Sequence, residues 1–92
     1  MNHHLMSLGP TLSSLANELR QKLDLTLPPV QVYPLEGYRF RLTVHYKGEL
    51  LYHDILLDPK EISEASDEGY FSLMKSHTEN ALRALEARLE KA

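Results

Sequence analysis

From Tyr38 to Lys47 apolar and polar side chains alternate without interruption. Tyr38, Phe40, Leu42, Val44 and Tyr46 fall on one side, and Arg39, Arg41, Thr43, His45 and Lys47 on the other. An alternation this long predicts a strand buried on one face only. Lys47-Gly48 supplies a turn, the glycine being free to take positive φ. A two-residue loop sets Tyr46 opposite Glu49, Val44 opposite Leu51, Phe40 opposite Ile55 and Tyr38 opposite Leu57. On the other face it pairs Thr43 with Tyr52 and Arg41 with Asp54. A three-residue loop would turn over every side chain of the second arm and send Asp54 inward, where an unpaired carboxylate is costly. The two-residue register is therefore expected, and it points His53 inward opposite Leu42.

Before the hairpin, Leu12, Leu15, Ala16, Leu19 and Leu23 repeat at helical spacing, with Leu8 extending the stripe and Ser13, Asn17, Glu18, Arg20 and Gln21 between them. Gly9-Pro10-Thr11 reads as the start, with Thr11 as cap, which predicts a helix over about residues 11–24 after a flexible start at 1–8. Pro28-Pro29 forbids its continuation. Val30 to Tyr33, bracketed by prolines, reads as a short edge strand, and Pro34 to Gly37 as a turn. After the hairpin, Asp58-Pro59-Lys60-Glu61 has the form of a capping box. It opens a short helix whose apolar side is Ile62 and Ala65, broken or bent at Ser66 to Gly69. A longer helix over about residues 70–90 has the stripe Phe71, Met74, Thr78, Ala81, Leu82, Leu85 and Leu89, with Glu79 and Arg83 as an ion pair four apart. The order predicts one α+β domain over 1–92. It is a two-layer sandwich, helix–three-stranded antiparallel meander–helices (αβββα), with the helices on one face of the sheet.

Element order of this kind resembles the double-stranded-RNA-binding domain. The resemblance implies nucleic-acid binding through a lysine-rich start on the last helix. The corresponding stretch here, Ser66-Asp67-Glu68-Gly69-Tyr70-Phe71, is acidic, so no site residue of that family carries over. The net charge of −3 also argues against non-specific nucleic-acid binding. The absence of cysteine removes disulfides, thiolate metal sites and thiol nucleophiles. No apolar run approaches the ~20 residues of a membrane span. Met1 to Ala16 has no Lys or Arg and is interrupted by Gly9-Pro10, so it reads as part of the fold rather than a secretory leader. A cytoplasmic location is the expectation.

No motif specifies chemistry. There is no Gly-x-Ser-x-Gly elbow and no glycine-rich phosphate loop. His45, His53 and His77 lack metal-site spacing, so no structural metal and no cofactor are expected. Met1-Asn2-His3 is a square-planar Cu(II) or Ni(II) set, with an amine, two amides and an imidazole. Asp58, Glu61, Glu64, Asp67 and Glu68 form an acidic patch that reads as a solvated helix start with acids near a positive dipole end. The sheet face opposite the helices remains. Arg39, Arg41, Thr43 and His45 lie there beside Leu50, Tyr52, Asp54 and Leu56, a composition typical of interfaces.

The second arm, Glu49 to Leu57, is a sheet edge without proline or lysine and rich in Leu, Ile and Tyr, with no segment left to cover it unless Leu5-Met6 does. The reading is a small non-catalytic binding or self-associating domain, its partner a second copy or another protein. Two copies would pair their second arms antiparallel around Tyr52 to Asp54 in one six-stranded sheet. One alternative is a nucleic-acid binder using Arg39, Arg41, His45 and Lys47 with Tyr52 for stacking. A second is a small hydrolase or metal-dependent enzyme.

Overall fold

The computed structural model describes residues 7–91. The elements are α1 (Leu8–Lys22), β1 (Gln31–Leu35), β2 (Arg39–Tyr46), β3 (Glu49–Leu56), α2 (Pro59–Glu64) and α3 (Asp67–Lys91). The strands form one antiparallel sheet in the order β1-β2-β3, and the chain is an α+β fold of the αβββα type. Leu8, Leu12, Ala16 and Leu19 of α1 and Met74, Ala81, Leu82, Leu85 and Leu89 of α3 share one core with Phe40, Leu42 and Val44 of β2 and with Ile55, Leu57 and Ile62.

The hairpin has the expected register. Tyr46 faces Glu49, Val44 faces Leu51, Leu42 faces His53 and Phe40 faces Ile55. Both turn residues take positive φ, Lys47 at 51° and Gly48 at 79°. That geometry matches the right-handed twist of the flanking strands. Tyr38 departs from expectation. It stands at φ 59° after Gly37 at φ 70°, so it belongs to the β1–β2 turn and its ring is exposed instead of buried. Its carbonyl still accepts from the Leu57 N–H at 3.0 Å.

β1 runs from 31 to 35 rather than from 30 to 33, and Pro34 lies inside it. An edge strand accommodates this, because the missing N–H falls on the side away from the ladder. The entry to β1 is fixed by Asn17. Its Oδ1 accepts from the Val30 N–H, and its Nδ2 donates to the carbonyls of Val30 and Ser13, all at 3.1 Å. One amide side chain thus does for buried Val30 what a neighbouring strand would do.

α1 begins at Leu8, which is buried, and not near residue 11. Thr11 is not its cap. Its N–H donates to the Ser7 carbonyl inside the first turn, and its hydroxyl accepts from the Tyr70 hydroxyl at 3.2 Å. The helix ends at Lys22, where Asp24 takes φ 53° and the N–H groups of Asp24 and Leu25 bond the carbonyls of Gln21 and Arg20. This is a Schellman closure made without glycine.

Asp58 caps α2, accepting from the N–H groups of Lys60 at 3.0 Å and Glu61 at 3.5 Å. The return bond from Asp58 N–H to the Glu61 carboxylate is not made, so only half of the capping box forms. Asp58→Ala is expected to cost about 1 kcal/mol and to speed amide exchange over residues 60–66. Unchanged exchange there would mean the cap does not hold the helix.

The expected break between the two helices falls at Ala65 and Ser66, and Asp67 to Gly69 already belong to α3. The Ser66 hydroxyl accepts from the Gly69 N–H at 3.0 Å, an N-cap bond that brings α3 in at Asp67. The buried aromatic of its first turn is Tyr70, not Phe71, which is 58% exposed. Tyr70, Met74, Thr78 and Leu82 repeat every fourth residue along the core-facing stripe. Tyr70 is tolerated there because its hydroxyl bonds Ser7 and Thr11. Glu79 and Arg83 form the expected ion pair at 3.2 Å.

Candidate functional site

Cross-strand partners share a sheet face, so the register defines the surface opposite the helices. Its rows are Gln31–Thr43–Tyr52, Tyr33–Arg41–Asp54 and Leu35–Arg39–Leu56, with His45 opposite Leu50 at the turn end. All eight residues expected on this face lie on it. Seven are exposed or half-buried, and Thr43 is buried. Thr43 is small and sits on the middle strand between Gln31 and Tyr52, and its hydroxyl donates to the Gln31 carbonyl at 3.3 Å. β1 contributes Gln31, Tyr33 and Leu35, which sequence reasoning missed because the prolines obscured a five-residue alternation.

The face is apolar at its margins. Tyr33 is 48% exposed, Leu50 54%, Tyr52 42% and Leu56 67%. Its centre is one polar cluster. Arg41 grips Asp54 with two parallel bonds, Nε to Oδ1 at 2.8 Å and Nη2 to Oδ2 at 3.0 Å. The same guanidinium lies 4.1 Å from the centroid of the Tyr52 ring. A fork of this kind fixes direction as well as distance.

The Arg41 hydrogen bonds hold the Asp54 carboxyl below the usual carboxylate range, against the opposing effect of its desolvation. The folded-state pKa is depressed. The pair's contribution to stability is therefore present above the unfolded value of ~3.9 and is lost as pH falls through the folded value. A carboxyl titration by NMR is expected to place Asp54 below an unfolded aspartate, and Arg41→Leu to move it upward. An unchanged midpoint in that variant would mean the fork is not formed.

β3 is the edge of the sheet beside α3. Leu57 N–H bonds across to Tyr38, so counting back in twos turns the N–H and C=O groups of Leu50, Tyr52, Asp54 and Leu56 away from β2. Leu5-Met6, the segment left open as a cover for this edge, lies outside the described residues, and a residue of α3 reaches the edge. Arg88 of α3 donates from Nη1 to the Tyr52 carbonyl. No sequence pattern signals that bond, which joins residues 36 apart in the chain. The edge of β1 is blunted differently, by Pro34, which has no N–H to offer.

Other candidates do not assemble. Among the described residues no three His, Asp or Glu side chains gather into a metal-holding group. His45 and His53 fall on opposite faces of the hairpin, and His77 lies on α3. The candidate Cu(II) or Ni(II) set at His3 lies outside the described residues. The acidic residues from Asp58 to Glu68 are exposed, with Asp58 occupied as a cap and Asp67 and Glu68 in the first turn of α3. Two shallow depressions, of about 240 and 290 Å³, lie on the helical layer, the larger lined by Pro10, Thr11, Ser14, Leu15, Glu18 and Phe71. Among the described residues no helix is long and apolar enough to cross a membrane. No family model matches the chain, and no curated protein and no solved structure matches it either.

Proposed function

We propose that this chain is a small non-catalytic interaction domain that self-associates through its open sheet face and the edge of β3. The observation that carries the reading is the asymmetry of the sheet. One face is sealed by two helices, while the other presents Tyr33, Leu50, Tyr52 and Leu56, each more than 40% exposed, around a preorganised Arg41–Asp54 pair. Aromatic, leucine and arginine side chains on one exposed surface are the composition of interface cores. The β3 edge adds outward N–H groups on a strand with no proline or lysine, the kind that natural sheets pair or cover. A cytoplasmic location belongs to the same proposal and is compatible with the lack of a membrane-crossing helix among the described residues.

Nucleic-acid binding through the same face is the weaker reading. Arg41, at the centre of the basic strip, is already committed to Asp54, and it covers one side of the Tyr52 ring on which a base would stack. Sedimentation at rising protein concentration, with and without a single-stranded RNA, separates the two. The expected result is a concentration-dependent dimer and no RNA complex. A monomer at all concentrations overturns self-association. An RNA complex that weakens steeply with salt would assign the face to phosphate binding instead.

A further inference from the structure

We propose that two copies pair β3 with β3 in a single register, and that Arg88 competes with the second copy for the Tyr52 carbonyl. This rests on the self-association reading and specifies its geometry. Only residues whose N–H and C=O point outward can pair across an edge, which leaves Leu50, Tyr52, Asp54 and Leu56. Antiparallel pairing of two identical strands about a twofold axis then allows three central registers around Tyr52 and Asp54.

Centring on Tyr52 sets it against its own copy. That register puts Leu50 opposite Asp54, an apolar group against a carboxylate, and leaves Leu56 without an apolar partner. Centring on Asp54 places two carboxylates directly opposite each other, which is destabilising. Centring between them, on His53, pairs Leu50 with Leu56 of the second copy and Tyr52 with Asp54 of the second copy. The side chains on β3 most exposed on the open face, Leu56 and Leu50, then cover each other. Each Arg41–Asp54 fork meets a Tyr52 from across the axis, so the two polar clusters lie side by side in adjacent rows through the middle of a six-stranded sheet. This register alone satisfies both kinds of side chain.

The same register sends the N–H of the second copy's Asp54 to the Tyr52 carbonyl, the group that Arg88 holds in the single chain. Arg88 is exposed and can swing away, so it acts as a removable cover on the edge. Association requires the cover to leave. In the single chain the Tyr52 carbonyl therefore has a partner while the outward N–H groups beside it stay open, and the dimer replaces that one bond with a strand ladder.

The chain has no cysteine, so introduced thiols report only on themselves. Hydrogen-bonded antiparallel partners have Cα atoms ~5.5 Å apart, within the range a disulfide spans. Leu50→Cys and Leu56→Cys variants, mixed and oxidised, are expected to form the mixed disulfide, with little product from either variant alone. Arg88→Ala is expected to tighten the dimer by about two- to tenfold, the equivalent of one hydrogen bond. A dimer by sedimentation that cross-links instead through Tyr52→Cys to itself, or in none of these pairs, overturns the register while leaving self-association standing. A weaker dimer in Arg88→Ala overturns the competition. A monomer in every variant and in the wild-type chain overturns the proposed function itself.

Discussion

Leu85→Ala and Phe40→Ala are each expected to destabilise the fold by about 2–5 kcal/mol. Leu85 is fully buried on α3, and Phe40 is 8% exposed on the middle strand. They approach the core from opposite layers, so shortening either leaves a void between sheet and helices that packed neighbours fill only in part. A domain of this size has about 5–15 kcal/mol in total, so either change brings the chain near its threshold. Denaturant melts read the effect. A loss under ~1 kcal/mol for either would mean that the face assigned to the core is not the buried one.

Asn17→Ala is expected to cost about 2–4 kcal/mol, although the side chain is only half-buried. The cost arises at Val30, itself buried, whose N–H and C=O both bond Asn17. Removing the amide leaves a donor and an acceptor without partners, and each such group costs about 1–3 kcal/mol when water cannot reach it fully. Asn17→Asp keeps the acceptor for Val30 N–H and loses the donor, so it is expected to fall between wild type and alanine. Melts of the three proteins check the order. Equal stability of alanine and wild type would show that water replaces the amide at no cost.

The hairpin was legible because two independent constraints agree on it. The β2 alternation fixes which face is buried, and Lys47-Gly48 fixes the loop length, so Arg41 meets Asp54 as the residues alone predict. The placement of all eight open-face residues follows from that register. Exposure did not follow fully, because Thr43 is shaded by its neighbours and exposure depends on their size as well as on the face. Tyr38 and Phe71 failed for a shared reason. Both stand at the end of an apolar pattern, where a turn or a helix start decides which side chain faces inward. At Tyr38 the turn takes positive φ. At Phe71 the Ser66 cap starts the helix at Asp67, and Tyr70 takes the buried position. Asn17 with Val30, and Arg88 with Tyr52, carry no periodic signature, since each bond joins elements that only the folded chain brings together.

Residue-resolved amide exchange along β3 tests the self-association of this domain most directly. The N–H groups of Leu50, Tyr52, Asp54 and Leu56 face away from β2 and make no bond within the sheet. If two copies pair along this edge, these amides exchange slowly at high protein concentration and more quickly on dilution. The inward amides of Leu51, His53 and Ile55 should stay protected throughout. Asp54→Pro removes one outward donor without touching the β2 ladder, and it should leave Leu50, Tyr52 and Leu56 quick to exchange at every concentration. His53→Pro would break the ladder itself. Fast exchange of all four outward amides in the wild-type chain, unchanged at high concentration, would contradict the proposal.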